Sequence, residues 1–315
     1  MSLPKLHGTY TALVTPFTAS TDAIDMAAFD KLLEHQLAGG ITGVVPCGTT
    51  GESPTLSPEE QKQLVKRCVV VCKGRAQVIA GTGSNDTRRA VEATKEAVAL
   101  GVDAVMVVAP YYNKPSQEGL FQHFRAVASS VNVPVIVYNV PGRTGIDIAP
   151  TTIARLVDAC PNVTCTKEAT GNVIRAQQLA CLLGDRLTVL CGDDALTLPM
   201  ISVGASGVIS VTANVLPREV VNATSLALAG RFAEARKAHL ALMPVHDAMF
   251  VESNPAPAKA ALAARGMMLD AVRAPLVAAS DGAKRTVAEA LTAFVTPEPT
   301  PSNGARAKAQ AAQAR

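Results

Sequence analysis

One pattern recurs eight times along this chain: an apolar run of strand length is followed by a segment with the spacing of a helix. The runs start near the following residues: Thr9, Gly43, Gln77, Ala104, Pro134, Val163, Leu187 and Gly207. Strands that alternate with helices form parallel sheets, because each helix carries the chain back to the end where the next strand begins. Eight such units fit a closed barrel better than an open doubly wound sheet, which usually has fewer strands. The sequence therefore predicts an α/β fold, a (β/α)8 TIM barrel.

The first two helical segments carry start and stop signals. The first ends at Gly39-Gly40, where glycine favours the end of a helix. The second begins at Ser57-Pro58-Glu59-Glu60, the pattern of a capping box. Its apolar residues then follow the helical period: Leu64, Val65, Cys68, Val69 and Cys72. Both segments are predicted as helices.

The chain divides into three parts. Residues 1–215 contain the eight units and are predicted to form the catalytic barrel core. Residues 216–295 are predicted to form a C-terminal helical extension that includes the last barrel helix, and Pro244 should kink or break one of its helices. The expected helices cover residues 217–229, 232–249 and 256–265, with a weaker one over 286–294. Residues 296–315 lack large apolar side chains, so a disordered tail is expected.

Charge and hydropathy argue against two classes of partner. The net charge of +3 is not gathered into a basic stripe with aromatic residues, and tryptophan is absent, so we expect no nucleic-acid partner. Apolar stretches such as residues 104–109 are far shorter than the roughly 20 residues of a membrane span, so we expect no membrane partner. The first residues show no charged-then-apolar leader, which favours the cytoplasm.

Cysteine and acidic residues give little sign of a metal site. The seven cysteines stand singly, as small buried hydrophobes of a reducing compartment do. Cys68 and Cys72 share a helix face, but no histidine lies nearby in the sequence. Asp193 and Asp194 are interpreted as caps of the following helix, because no histidine or glutamate sits beside them. We therefore predict no metal.

Polar segments follow five of the predicted strands, at the point where each strand ends. They are residues 48–53 after the second strand, 110–113 after the fourth, 138–143 at the end of the fifth, Lys167 at the end of the sixth and 192–194 after the seventh. Barrel enzymes place their chemistry at the carboxyl ends of the strands. We therefore expect these segments to meet in one site.

Lys167 ends the apolar run Val163-Thr164-Cys165-Thr166, a position where its amine is expected to be desolvated. Desolvation favours the neutral amine, which attacks carbonyl groups, whereas an exposed lysine with a pKa of about 10.4 is almost fully charged at pH 7. The alternative is a surface charge, which is what most lysines after strands are. The polar residues at neighbouring strand ends favour a Schiff-base lysine.

Four neighbouring side chains each allow two interpretations. Thr49 and Thr50 stand in a glycine-flanked turn that either cradles a small carboxylate or only connects a strand to a helix. Tyr138 either exchanges protons with Lys167 through a substrate or is a core residue with a satisfied hydroxyl. Arg143 either holds a carboxylate in bidentate fashion or makes a surface ion pair.

Six motifs occur in one order along the chain: GTTGES, PYYNKPSQEG, YNVPGRTG, KEATGN, GDDA and GVISVTAN. Their order and spacing closely resemble the dihydrodipicolinate synthases, over about residues 8–293. The resemblance implies that pyruvate condenses with L-aspartate 4-semialdehyde through an imine on Lys167, at the entry to diaminopimelate and lysine biosynthesis. It also implies that neither a metal nor an organic cofactor takes part.

The resemblance assigns further roles residue by residue. Its proton relay corresponds to three hydroxyl residues: Thr49, Tyr138 and Tyr112. Tyr112 would reach in from a neighbouring subunit, so the resemblance implies a homo-oligomer, commonly a homotetramer built as a dimer of dimers. Thr50 would bind the pyruvate carboxylate, while Gly192 and Ile209 would make backbone contacts near the second substrate. Arg143 would orient the carboxylate of that substrate.

Two other functions are compatible with parts of this pattern. N-acetylneuraminate lyase and 2-keto-3-deoxy sugar acid aldolases keep the lysine and the tyrosine but have a different aldehyde pocket. Arg143 and the pairing of GTTGES with KEATGN favour the synthase. A catalytically silent paralogue used for sensing or scaffolding is disfavoured, since no matched catalytic residue has been lost.

One departure from the family pattern concerns regulation. Strongly lysine-inhibited members bind lysine through two histidines and a glutamate, and here Pro58, Gln61 and Arg89 stand in their places, although Ser53, Asn85 and Tyr111 match the rest of that site. The positive charge of Arg89 would face the amine of lysine and repel it. Weak or absent inhibition by lysine is predicted.

Overall fold

The computed structural model describes residues 5–294. Eight parallel strands close into a barrel in chain order, with the first strand bonded to the eighth. The strands are β1 (Gly8–Ala12), β2 (Gly43–Val45), β3 (Gln77–Gly81), β4 (Ala104–Val108), β5 (Val135–Asn139), β6 (Val163–Glu168), β7 (Thr188–Cys191) and β8 (Gly207–Ser210). Each strand begins within one residue of its predicted position. The predicted (β/α)8 barrel is confirmed.

Helices connect the strands and surround the barrel. In the described range they are α1 (Met26–Ala38), α2 (Pro58–Cys72), α3 (Thr87–Ala99), α4 (Gln117–Ala128), α5 (Pro141–Thr144), α6 (Pro150–Ala159), α7 (Val173–Leu183), α8 (Thr197–Ser202), α9 (Pro217–Leu228), α10 (Phe232–Ala248), α11 (Ala256–Ala264) and α12 (Asp281–Ala293). The capping box predicted for α2 is present. The Glu60 amide donates to the Ser57 hydroxyl at 3.2 Å, and the Ser57 amide donates to the Glu60 carboxylate at 2.9 Å.

Apolar side chains fill two separate layers. One layer lies inside the barrel and includes Tyr10, Met106 and Leu190, all of them buried. The other lies between the strands and the surrounding helices and includes Phe29 and Phe124. Both layers arise from the same strands, because successive side chains of a strand point to opposite faces. A polar side chain on the inward face therefore either sits in the core or faces an end of the barrel.

The segment after β8 is helical, and α9 completes the ring by packing against β1. Of the two effects predicted for Pro244, the break is wrong, because α10 continues through the proline, and the kink stays a prediction. Pro244 lies on the exposed face of α10, and solvent can reach the carbonyl of the exposed Leu240, which the proline deprives of its amide partner.

The last described helix begins earlier than the sequence pattern indicated. Ser280 caps α12 through the amide of Ala283, so α12 starts at Asp281 rather than at the expected residue 286. The predicted tail, residues 296–315, lies outside the described residues. No helix among residues 5–294 combines the length and the apolar character that crossing a bilayer demands.

Candidate active site

Lys167 lies near the carboxyl end of β6, beside Tyr138 of β5 and Leu190 of β7 in the strand register. Its side chain points into the barrel, as does that of Cys165 two residues earlier. Lys167 is only 5% exposed, and its Nζ lies 4.3 Å from the centre of the Tyr138 ring. Lys167 is therefore a buried amine rather than a surface charge.

No carboxylate among residues 5–294 pairs with this amine. The adjacent Glu168 points to the opposite face of β6, where it accepts hydrogen bonds from the Thr170 amide at 2.8 Å and the Asn139 side chain at 3.4 Å. Burial raises the pKa of Glu168, and these hydrogen bonds oppose the rise only in part. Within residues 5–294, Lys167 forms neither an ion pair nor a side-chain hydrogen bond. A carbonyl compound entering the barrel meets no competing partner of the amine.

Gly192, directly after β7, leaves space for the lysine side chain. A Cβ at this position would lie 3.1 Å from Cε of Lys167 and 2.6 Å from Cβ of Ala169. The second distance is shorter than packed carbon atoms allow, so a side chain here would force this part of the site to shift. The backbone of Gly192 therefore borders the amine directly.

The turn after β2 is tight and still leaves backbone donors free. Cys47 adopts a φ of 58°, and Gly81 allows its carbonyl to come close, because a Cβ at 81 would lie 2.3 Å from that oxygen. The amides of residues 51–53 bond back to carbonyls within the turn. Those of Thr49 and Thr50 donate to no group among residues 5–294. Adjacent free amides of this kind bind anions, so the turn is both a connection and a possible carboxylate cradle.

A cavity of 840 Å³ opens at this end of the barrel. Thr49, Tyr138 and Arg143 line it, together with Val140. The hydroxyls of Thr49 and Tyr138 make no hydrogen bond within the described residues, so neither is consumed by the core. Arg143 is exposed and forms no ion pair there. The cavity thus gathers two free hydroxyls and a free guanidinium. Lys167 does not line this cavity, but its amine lies against the ring of Tyr138, which does.

Tyr112 lies apart from these residues. It sits on the loop after β4 with a φ of 73°, and its side chain is 89% exposed. The neighbouring Tyr111 lines the cavity, but Tyr112 does not. Among residues 5–294 of one copy, Tyr112 has no contact through which it could pass a proton to Lys167.

Ile209 lies on β8 inside the barrel and is buried. The chain after it is held by Asp194, whose carboxylate accepts hydrogen bonds from the Ser210 hydroxyl and from two backbone amides. The interpretation of Asp194 as a cap of the following helix is therefore wrong, because its partners lie at the end of β8 and directly after it. Asp193 does cap the short helix that follows it. Burial, reinforced by the charge of Asp194, raises the pKa of Asp193.

The segment after α10 holds the turn that contains Thr50, and sequence analysis missed this connection. Asn254 donates from Nδ2 to the Thr50 hydroxyl at 2.9 Å, and Lys259 donates from Nζ to Glu52 at 2.5 Å. Two local signals were available. Asn254 precedes a proline, and Lys259 is the one charged residue in the otherwise apolar helix APAKAALAA.

Thiols and metal ligands contribute little to this site. Among residues 5–294, no three histidine, cysteine, aspartate or glutamate side chains gather as metal ligands would. All seven cysteines are free, but Cys181 is exposed, contrary to the expectation that all are buried. Burial raises the pKa of Cys47, which lines the cavity, to about 12. Cys47 is therefore a neutral thiol near pH 7 and does not compete with the lysine as a nucleophile.

A buried amine with no counter-charge among residues 5–294 lies at the carboxyl end of a closed parallel barrel, beside a free phenol. This arrangement fits the class of barrel enzymes that bind a carbonyl substrate through a lysine imine.

Within that class, the chain belongs to the dihydrodipicolinate synthetase family, whose model matches residues 5–294. The resemblance carried by the six motifs is thereby confirmed. The chain is 56% identical over 291 residues to the 4-hydroxy-tetrahydrodipicolinate synthase of Sorangium cellulosum, a match that covers 92% of this chain and 97% of that relative.

Two solved structures share the fold over nearly the whole chain. The 4-hydroxy-tetrahydrodipicolinate synthase of Methylacidiphilum fumariolicum SolV is 46% identical with a TM-score of 0.90, covering 92% of this chain and 96% of its own. The chloride-inhibited dihydrodipicolinate synthase of Acinetobacter baumannii, solved with pyruvate, is 39% identical with a TM-score of 0.90. That match covers 93% of this chain and 100% of the other.

Proposed function

We propose that the chain is a 4-hydroxy-tetrahydrodipicolinate synthase, which condenses pyruvate with L-aspartate 4-semialdehyde for diaminopimelate and lysine biosynthesis in the cytoplasm. The observation that carries the proposal is the buried, unpaired amine of Lys167 in a chain 56% identical to a synthase of that name. The synthase of Acinetobacter baumannii, which shares this fold, was solved with pyruvate.

The reaction starts when the neutral amine of Lys167 adds to C2 of pyruvate. The ketone oxygen leaves as water, and a protonated imine remains. The positive nitrogen withdraws electrons from the methyl group, so that loss of a methyl proton gives an enamine. Because the imine nitrogen is the electron sink, the mechanism needs neither a metal nor an organic cofactor.

The enamine then forms the new carbon–carbon bond. Its terminal carbon attacks the aldehyde carbon of the second substrate, and the aldehyde oxygen takes up a proton. The amino group of the same substrate next adds to the imine carbon, and the amine of Lys167 leaves. The ring closes in this step, and the enzyme returns to its starting state.

Three hydroxyl groups serve the proton transfers in this proposal: those of Thr49, Tyr138 and Tyr112. Tyr138 contacts Lys167, and Thr49 lines the same cavity. Tyr112 projects away from its own barrel and is 89% exposed, as a residue that enters the site of a second copy must be. We therefore propose a homotetramer built as a dimer of dimers, with Tyr112 exchanged within each dimer.

The carboxylates of the two substrates have separate partners in this proposal. The Thr50 hydroxyl and the free amides of Thr49 and Thr50 bind the pyruvate carboxylate, because a carboxylate favours several converging donors. Arg143, at the wall of the cavity, holds the carboxylate of the second substrate. Backbone groups of Gly192 and Ile209 contact that substrate.

A coupled assay tests this function. Purified protein, pyruvate and L-aspartate 4-semialdehyde are mixed with dihydrodipicolinate reductase, and oxidation of the nicotinamide cofactor is followed. We expect a rate that requires both substrates. Trapping of pyruvate on Lys167 by borohydride without any coupled rate would reassign the chain to a related pyruvate-dependent aldolase. Absence of both signals from folded protein would favour a non-catalytic paralogue.

We also propose that lysine inhibits this enzyme weakly or not at all. Pro58, Gln61 and Arg89 line the part of the cavity between α2 and α3, where strongly inhibited relatives are expected to bind lysine. A guanidinium at this place repels an amine and offers no acceptor to it. Titration of the coupled assay with lysine tests the proposal, and half-inhibition at submillimolar lysine would contradict it.

A further inference from the structure

A hydrogen bond joins the proposed pyruvate-binding turn to a residue 204 positions later in the chain. Nδ2 of Asn254 donates to Oγ1 of Thr50 at 2.9 Å, and the two residues are 5% and 3% exposed. A hydrogen bond this well buried is shielded from competing water. The orientation of the Thr50 hydroxyl is therefore decided by Asn254 rather than by solvent.

The direction of this hydrogen bond decides where the Thr50 proton goes. Because Oγ1 of Thr50 accepts from Asn254, its own proton remains available to another acceptor. The Thr50 hydroxyl donates a hydrogen bond to no acceptor among residues 5–294. A carboxylate held over the turn would be the missing acceptor, since a carboxylate only accepts hydrogen bonds.

The amide of Asn254 is held in this orientation at a cost. Its Oδ1 is buried and has no hydrogen-bond partner among the described residues. Buried polar atoms are nearly always paired, and an exception calls for an explanation. Turning the amide over would let Oδ1 accept the Thr50 proton, but it would then remove that proton from a bound carboxylate.

The backbone around Asn254 is anchored independently. Five residues further on, Lys259 pairs with Glu52, and the amide of Arg273 donates to the second carboxylate oxygen of Glu52 at 2.9 Å. The turn is thus held by hydrogen bonds at Thr50 and at Glu52. The position of the Asn254 backbone relative to the turn therefore does not depend on the Asn254 side chain.

We propose that Asn254 is a positioning residue, which fixes the Thr50 hydroxyl so that its proton points to the carboxylate of bound pyruvate. This inference rests on the proposed function, because it takes Thr50 to be the residue that binds pyruvate. Asn254 itself touches only Thr50 in this chain of contacts, from amide to hydroxyl to carboxylate.

The test measures the pyruvate concentration that gives half-maximal borohydride trapping on Lys167. The imine carbon gains a hydride and its nitrogen a proton, so the protein keeps the pyruvate carbon skeleton as a stable mass increase. This readout needs no second substrate. The variants are Asn254→Ala, the isosteric Asn254→Asp, Thr50→Ala and the Asn254→Ala/Thr50→Ala pair, with the exposed neighbour Ser253→Ala as control.

We expect Asn254→Ala to raise the half-maximal concentration about fivefold, the effect of losing one hydrogen bond. Asn254→Asp should raise it by about tenfold or more, because a carboxylate accepts the Thr50 proton and repels pyruvate. The double variant should match Thr50→Ala alone, since the two residues act as one unit. Ser253→Ala should match the wild type.

A purely structural role makes the opposite predictions. Asn254→Asp, which preserves volume, would then bind pyruvate better than Asn254→Ala, and the effects of Asn254→Ala and Thr50→Ala would add. Either result overturns the inference, with melting temperatures recorded to separate unfolding from weak binding. Wild-type protein that traps no pyruvate would overturn the proposed function itself, which separates the two failures.

Discussion

Two lysines are buried among residues 5–294, and their surroundings differ in one respect. Lys167 is 5% exposed and Lys259 is fully buried. Each Nζ lies 4.3 Å from the centre of an aromatic ring, that of Tyr138 for Lys167 and that of Phe17 for Lys259. Burial and an aromatic neighbour are therefore common to both.

The difference is a carboxylate. Lys259 pairs with Glu52 at 2.5 Å and also donates to the carbonyl of Ala271 at 2.6 Å. Burial lowers the pKa of Lys259, and the charge of Glu52 opposes that shift. Lys167 has no such partner in the part of the chain that the structure describes. A buried lysine thus becomes a structural cation or a candidate nucleophile according to whether a counter-charge is buried with it.

Replacing Lys167 should abolish most of the catalytic activity and change the free energy of unfolding little. We expect Lys167→Ala to lower turnover on the order of 10⁴-fold, because it removes the amine that is proposed to form the imine. Its free energy of unfolding should stay within about 1 kcal/mol of the wild type, since no ion pair is lost. The coupled assay and chemical denaturation measure the two quantities, and an active variant would disprove the imine mechanism.

Replacing Lys259 should do the reverse. Lys259→Met leaves the buried charge of Glu52 unpaired, so we expect a loss of about 3 to 5 kcal/mol in the free energy of unfolding. Adding Glu52→Gln should restore part of this loss. The control is Lys284→Met, which breaks a half-exposed ion pair with Asp270 and should cost less than about 1 kcal/mol. The free energy of unfolding is measured by urea denaturation. Equal losses for Lys259→Met and Lys284→Met would contradict a structural role for the buried ion pair of Lys259.

The phenol beside Lys167 separates packing from proton transfer. Tyr138→Phe keeps the ring against the lysine and removes only the hydroxyl, so turnover should fall by about 10²-fold with little loss of stability. The matched control is Tyr10→Phe, because the Tyr10 hydroxyl is also buried in the barrel but donates to Gln77 at 2.6 Å. That control should lower the melting temperature and leave turnover nearly unchanged. Unchanged turnover in Tyr138→Phe would show that this hydroxyl takes no part in the proton transfers.

Arg143 is a cation that, like Lys167, has no partner in the described chain, but it is exposed. Arg143→Ala should raise the KM for the aldehyde substrate by about tenfold, the effect of losing a charged hydrogen bond. The pyruvate concentration for half-maximal trapping should not change. Arg125→Ala, an exposed arginine outside the cavity, serves as the control. A rise in the pyruvate requirement would show that Arg143 serves the first substrate instead.

The contribution to stability of the residues around Lys259 should also depend on pH. Arg273 lies 4.3 Å from the same Phe17 ring and donates to both carboxylate oxygens of Glu60, which lowers the pKa of Glu60. This stabilisation is complete above the unfolded-state pKa of about 4.3 and is lost as the pH falls through the lower folded-state value. Glu60→Gln should therefore flatten the acid limb of stability against pH. An unchanged limb would mean that other carboxylates dominate it.

Most of the barrel could be predicted because its signals are local. Each strand is an apolar run bounded by polar residues, and α2 begins at a capping box written in consecutive residues. The candidate site followed from the rule that chemistry lies where strands end, which brought Lys167, Tyr138 and Arg143 together before any geometry was known.

The contacts that could not be predicted join distant parts of the chain. Asn254 reaches Thr50 across 204 positions, and Lys259 reaches Glu52 across 207. No periodicity or cap encodes such a pair, because packing of the completed fold brings the residues together. The role of Asp194 was not predictable for the same reason, since its partner Ser210 lies 16 positions further on, at the end of the next strand.

The long reach of Asn254 also has a consequence for how the protein is made. Chains emerge from the ribosome amino terminus first, at roughly 5 to 20 residues per second, so Asn254 is translated about 10 to 40 s after Thr50. During that interval the nascent chain carries the turn without its anchors. A growing polypeptide therefore cannot hold the Thr50 hydroxyl in place through this hydrogen bond until Asn254 has been made.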